Sequence, residues 1–128
     1  MFAVTDERAI EYRAAIDELV RSCSEGQGQI GARRAIAGVW NSNATPSWPD
    51  RQYEYNKLLA ELDEGQRDVL ASMLTGQFES GVHEALVILH EHQIAPFEIG
   101  YEGAPFHDFA GRLEGFPWPE SLDRSTES

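Results

Sequence analysis

The chain has 128 residues, of which 41% are hydrophobic and 25% charged, and this composition is ordinary for one globular domain that needs no disulfide or metal to fold. Its 22 acidic and 10 basic residues give a formal net charge of −12, which disfavours nucleic-acid phosphates and anionic membrane surfaces as partners. The same charge is compatible with a basic protein partner.

The first predicted helix begins at Thr5 or Asp6, since either side chain can cap the free N–H groups of a helix start. Apolar residues then recur at steps of three and four residues, the period of one helical face: Ala9, Tyr12, Ile16, Leu19, Val20 and Cys23. Cys23 is the only cysteine, which excludes an internal disulfide and favours a buried thiol. The opening residues carry no basic, apolar secretory pattern, so a cytoplasmic protein is expected.

A glycine-rich stretch at 24–31 ends the first helix, and a short second helix is predicted over 32–40. In that helix we expect Ile36, Val39 and Trp40 to turn inward. The loop that follows is rich in Asn, Ser, Thr and Pro, which is typical of turns.

Pro49 is expected in the first turn of a third helix, where its missing N–H costs nothing. Asp63 and Gln66 have the spacing of a capping box and predict the start of a fourth helix. The apolar faces of these two helices are Tyr55, Leu58, Leu59 and Leu62 on the third, and Val69, Leu70, Met73, Leu74 and Phe78 on the fourth. Gly76 and Gly81 predict a break before a fifth helix.

That fifth helix carries "GVHEALVILHEHQI" at 81–94, which holds three of the four histidines. A helical wheel places Glu84 and Glu91 on one solvent face, and His83 and His90 on another face at the margin of the buried region. The two histidines are seven residues apart, about 10.5 Å along the helix axis. That spacing is too wide for one zinc ion, so the sequence predicts no metal site. No cofactor is predicted either.

From Ala95 onward the sequence is dense in glycine, proline and aromatic residues. One short helix is expected across roughly Pro105 to Leu113, and "FEIGY" at 97–101 is the one strand-like segment. Six aromatic side chains lie within this region: Phe97, Tyr101, Phe106, Phe109, Phe116 and Trp118. They favour either a cover packed on the helices or the rim of a pocket. The candidate ligand-binding residues of such a pocket are His83, His90, His107, Asp108, Tyr101 and Trp118.

The pattern as a whole predicts an all-α fold, a compact bundle of five or six helices closed by an irregular aromatic-rich C-terminal wrap. The predicted domain organisation is a single helical domain at 1–120 followed by a frayed polar tail at 121–128.

Three stretches together resemble a known family: "YRAAIDELV", "LLAELDEGQRDVLASMLTGQFESGVHEALVILHE" and "FHDFAGRLEGFPWPE". The chain is similar to small bacterial helical proteins known only as a domain of unknown function. Its most specific parts are Gly-Val-His-Glu-Ala-Leu and the terminal Arg-Leu-Glu-Gly and Pro-Trp-Pro. The resemblance implies an α-helical fold and a bacterial cytoplasmic setting, and it brings no catalytic residues.

The sequence contains no recognisable catalytic motif: it has no nucleophile elbow, no phosphate-binding loop and no dinucleotide-binding fingerprint. The sequence therefore favours a non-enzymatic protein-interaction or binding module with an acidic surface, whose partner is a basic protein or a second copy of the chain. The alternative is a small-molecule pocket protein or small enzyme that uses His83, His90 and His107-Asp108.

Overall fold

A computed structural model describes residues 7–119 and confirms the all-α class, with no strand in that range. Within residues 7–119 five α-helices follow one another: α1 (Glu7–Glu25), α2 (Ile30–Ala37), α3 (Gln52–Glu61), α4 (Glu64–Glu91) and α5 (Pro105–Leu113). Short 3-10 turns at Gln27–Gln29 and Pro49–Arg51 precede α2 and α3. The predicted caps Thr5 and Asp6 and the predicted tail 121–128 lie outside the described residues.

The chain divides into two compact units, and α1 and α4 each contribute to both. Unit 2 is Ser22–Glu79 and contains α2, α3 and most of α4. Unit 1 comprises, among the described residues, 7–21 and 80–119.

Small residues allow the helices of unit 2 to pack closely. Its buried centre consists of Ala32, Ala35, Leu59 and Ala71, and Trp40, Leu62, Leu70 and Leu74 pack around it. Gly38 caps the end of helix α2. Its φ of 77° is left-handed and therefore suits glycine, and its N–H donates to the carbonyl of Arg34.

The predicted capping box at the start of α4 is present. The backbone N–H of Gln66 donates to Asp63 Oδ1 at 2.8 Å, and the N–H of Asp63 donates to Gln66 Oε1 at 3.0 Å. Two N–H groups that the helix itself cannot satisfy are thus paired locally.

Unit 1 is organised around a buried aromatic cluster. Tyr12, Ile16, Leu86 and Phe109 are almost fully enclosed. Edge-on ring contacts join Tyr12 to Phe97 and Trp118, and Tyr101 to Trp118. Helix α5 begins at Pro105, as expected, because proline fits the first helical position.

Three expectations about local structure are wrong. Gly76 and Gly81 do not break the chain, since both lie inside the 28-residue helix α4. The "FEIGY" segment forms turns. Ile36 and Val39 are exposed, at 57% and 44%, and only Trp40 of that trio packs inward.

Candidate functional site

An apolar groove lies on the surface of unit 2. Its walls come from α3, α4 and Trp40 in the loop that follows α2, and its volume is about 320 Å³. We call it the α3–α4 groove, and its lining residues are Trp40, Tyr55, Leu58, Leu59, Leu70 and Leu74. All six are aromatic or aliphatic, so the groove offers contact area and almost no polar chemistry.

Exposed apolar side chains lie on both helices that form the groove. Leu58 is 54% exposed, and Val69 and Met73 on α4 are each 61% exposed. Val69 and Met73 are four residues apart, and Met73 is three residues after Leu70, so Met73 neighbours both of them on the helix surface. Contiguous apolar surface of this kind marks a contact site for another molecule more often than isolated exposed residues do.

The aromatic wall of the groove is held in place by polar contacts. The Asn56 side chain accepts hydrogen bonds from the N–H groups of Trp40 and Asn41, at 2.7 and 3.0 Å. Trp40 meets the ring of Tyr55 edge-on, with centroids 6.0 Å apart. The Arg34 guanidinium lies 5.3 Å from the Trp40 ring centroid, which is a cation–π contact.

The candidate histidines of α4 meet at one phenylalanine in unit 1. The ring centroids of His83 and His90 lie 5.4 and 6.1 Å from that of Phe106. His90 Nδ1 is 3.0 Å from the carbonyl oxygen of Phe97, and since a carbonyl only accepts, Nδ1 is the protonated nitrogen. His83 is exposed and His90 is half-buried.

Two depressions in unit 1 share the segment 102–104. The smaller, of about 430 Å³, is lined by His90 and Tyr101 together with Glu98. The larger one includes His107 among its lining residues. The six candidate ligand residues are therefore divided between different places in unit 1.

Asp108 is buried and its carboxylate is fully occupied by hydrogen bonds. Oδ2 accepts from the Tyr12 hydroxyl at 2.5 Å and from the Tyr101 N–H at 2.7 Å. Oδ1 accepts from the N–H groups of Glu102 and Gly103 at 3.1 and 3.0 Å. Burial, reinforced by the hydrogen bond to Asp108, raises the pKa of Tyr12 far above its ordinary value. This carboxylate fixes the turn at 101–103 and is not free to meet a ligand.

Trp118 is also buried and serves as an anchor. Its Nε1 donates to Asp17 Oδ2 at 3.1 Å, while Arg112 Nε donates to Asp17 Oδ1 at 2.8 Å. The Arg112 guanidinium lies 5.3 Å from the Trp118 ring centroid. Asp17 thus holds together α1, α5 and the segment that follows α5.

Glu98 and Cys23 are the two remaining side chains considered as reactive groups. Glu98 pairs with Arg8 through Oε1, while its Oε2 is buried without a hydrogen-bond partner among the described residues. Cys23 is completely buried, and burial raises the pKa of its thiol, assisted by the charge of Glu79. A buried thiol with a raised pKa is a poor nucleophile.

Within residues 7–119, no three His, Cys, Asp or Glu side chains are placed to hold a metal ion together. In the sequence, the histidines are the most conspicuous candidate site residues. The groove residues belong to two ordinary apolar helix faces, and the apolar period does not show which of these faces another element covers.

The part of the chain at residues 7–119 is all-helical, and none of its helices is long and apolar enough to span a membrane. A family model described as "Family of unknown function (DUF6547)" matches residues 5–120, and the chain belongs to that family. No curated protein and no solved structure matches the chain. The three stretches that carried the resemblance all fall within the matched residues.

Proposed function

We propose that the protein is a non-enzymatic interaction module that binds another polypeptide through the α3–α4 groove. The observation that carries the proposal is the continuity of the groove with exposed Leu58, Val69 and Met73. Grooves of this shape bind the apolar face of an amphipathic helix, whose side chains at three- and four-residue spacing enter between the two walls. The lone buried Cys23 fits a cytoplasmic setting.

The test is a selection of helical peptides from a displayed library against the full chain. Peptides that bind the groove are expected to lose binding to a Leu58→Gln, Met73→Gln variant, because glutamine keeps the helix but removes apolar contact. Ile36→Gln is the matched control, since Ile36 is exposed to a similar degree (57%) and does not line the groove. Selected peptides that bind both variants equally would contradict the proposal, as would a selection that yields none.

A second candidate function is ligand binding at the smaller depression of unit 1, with His90 and Tyr101 as contact residues and His83, His107, Asp108 and Trp118 in supporting positions. It is favoured by the fixed tautomer of His90, because protonation at Nδ1 leaves Nε2 as an acceptor in the neutral ring. Titration of a fragment library, followed through the imidazole NMR signals, tests this candidate. If the His90 signals do not shift as the fragment concentration rises, ligand binding at this depression is excluded.

A further inference from the structure

We propose that the larger depression of unit 1 binds a small organic cation, an ammonium group that carries apolar substituents. The two functions considered above use the α3–α4 groove and the smaller depression, so this is a further binding site. The larger depression has a volume of about 970 Å³ and is formed by the segment 102–104, one face of α5 and the residues that follow α5.

Small residues on one face of α5 form the floor of this depression. Ala110 lies four residues after Phe106 and four before Glu114, and Gly111 lies four residues after His107, so these residues share one face. A Cβ at Gly111 would meet nothing within 4 Å. A ligand can therefore lie close to the helix backbone between the larger side chains.

Two phenylalanine rings line the depression, Phe106 from the first turn of α5 and Phe116 from the segment after it. Phe106 is half-buried, whereas 61% of Phe116 is exposed. Apolar substituents of a ligand gain contact with these rings, and the face of an aromatic ring attracts a cation. The aromatic residues thus favour an ammonium with apolar groups over a strongly hydrated inorganic cation.

The carboxylates of the depression are available to a cation. Glu102 and Glu114 both line it, both are exposed, and neither forms an ion pair within residues 7–119. The described residues that line the depression include no lysine or arginine. A bound cation would therefore meet two carboxylates whose charge no basic side chain of this range neutralises.

The nearest arginine along the chain is directed away from the depression. Arg112 is two residues from both Ala110 and Glu114, so it lies on the other side of α5. Its Nε donates to the carboxylate of Asp17 at 2.8 Å, and its Nη1 donates to the backbone carbonyl of Phe116. The charge of Arg112 is thus offset by Asp17, and the carboxylates of the depression keep their attraction for a cation.

The backbone of the depression has few donors for an anion. The N–H groups of Glu102 and Gly103 donate to Asp108, and those of Glu114 and Phe116 donate to carbonyls of α5. An anionic ligand would find these donors already paired and would be repelled by the two carboxylates. The polar groups of the site therefore favour a ligand that brings positive charge.

A pair of ligands of equal shape tests the requirement for charge. Choline is the probe, and neohexyl alcohol is its uncharged counterpart, in which carbon replaces the quaternary nitrogen. Titration of the full chain at pH 8, above the range in which histidine ordinarily titrates, is followed through the backbone amide NMR signals. Choline should shift the signals of residues 110–116 to saturation, and the alcohol should bind at least about fivefold more weakly. Equal affinities, or no saturable shift at these residues, would overturn the proposal.

Substitutions at exposed positions then locate the cation. Glu102→Gln with Glu114→Gln should weaken choline binding by about three- to tenfold, the range for two exposed charges. Phe116→Leu should weaken it by about two- to fivefold, because leucine stays apolar but has no ring face. Glu84→Gln with Glu91→Gln is the matched control, since it removes the same charge from exposed positions of α4 that do not line the depression. An equal loss in that control, or unchanged affinity in the first variant, would contradict the assignment.

Discussion

Asp108 shows how one buried carboxylate can define the conformation of a turn. Its two oxygens accept four hydrogen bonds, three of them from consecutive backbone N–H groups at 101–103. Hydrogen bonds to a charged group contribute about 1.5–3 kcal/mol each, so four of them offset much of the cost of burying this carboxylate. Its role in this structure is therefore to hold the turn that both depressions of unit 1 share.

We expect Asp108→Asn to lower the free energy of unfolding by roughly 2–4 kcal/mol. The amide retains one accepting oxygen, while its NH₂ group would face donors and leave them unpaired. Urea denaturation measures the change, and the neighbouring exposed Glu102→Gln should stay within about 0.5 kcal/mol of the wild type. Equal midpoints for the two variants would mean that the negative charge is not required for the turn.

The hydroxyl of Tyr12 gives a pH-dependent prediction. Its pKa is raised in the fold by burial and by Asp108, so above about pH 10 the unfolded chain loses this proton while the folded protein keeps it. Stability that is present below that pH is consequently lost as pH rises, by about 1.4 kcal/mol per pH unit for this group. Tyr12→Phe should remove that slope in denaturation measured between neutral and alkaline pH.

The other three tyrosines serve as an internal control, because both proteins contain them unchanged. Tyr12→Phe should also cost about 1 kcal/mol at neutral pH for the lost hydrogen bond. Identical alkaline slopes in the two proteins would show that Tyr12 does not stay protonated in the fold.

At the scale of elements, the sequence predicted those features that depend on neighbouring residues. The Asp63–Gln66 capping box and the start of α5 at Pro105 follow from local chemistry, and both are present. The break expected at Gly76 and Gly81 fails because a glycine costs a helix only about 1 kcal/mol, which the continuous packing of a long helix can offset.

The groove was less predictable from the sequence, because it depends on which apolar helix faces are left uncovered by other elements. Leu58 and Met73 lie on helix faces that the apolar period correctly identifies, yet nothing in that period states whether another element covers them. The same limit applies to Asp108. Its spacing from Tyr12 along the chain, 96 residues, gives no sign that the hydroxyl and the carboxylate meet.

Glycines provide a paired test of close packing within elements. A Cβ at Gly28 would lie 2.7 Å from the backbone of Cys23 and 2.9 Å from the Phe78 ring, so Gly28→Ala should destabilise the fold by about 1–3 kcal/mol. A Cβ at Gly76 would meet nothing within 4 Å, and Gly76→Ala should stabilise α4 by about 0.5–1 kcal/mol. Thermal denaturation of both variants measures the two effects.

The two substitutions are expected to change the free energy of unfolding in opposite directions, and this difference is what the experiment tests. If Gly28→Ala were neutral, the close approach of the 3-10 turn at Gln27–Gln29 to Cys23 would not be maintained in solution. If Gly76→Ala were destabilising, the alanine would be meeting a neighbour at that point of α4.

At the scale of the whole molecule, the acidic excess should make stability depend on salt. With a net charge of −12, like charges repel throughout the folded state, and raising the ionic strength shortens the range of that repulsion to about 10 Å at 0.1 M. Replacing one exposed acidic residue and one exposed basic residue by glutamine separates this general repulsion from local contacts. Glu84→Gln removes a negative charge from the exposed face of α4, and Lys57→Gln removes a positive charge from α3.

At low salt, Glu84→Gln should raise the free energy of unfolding and Lys57→Gln should lower it, each by a few tenths of a kcal/mol, as expected for exposed charges. Both differences should fall toward zero as sodium chloride increases, whereas the loss caused by Asp108→Asn should persist, because buried groups are screened far less. Denaturant titrations at several salt concentrations measure all three variants. If Glu84→Gln destabilised the protein at every salt concentration, its carboxylate would be making a specific contact, and self-repulsion would not be the dominant electrostatic contribution at the surface of α4.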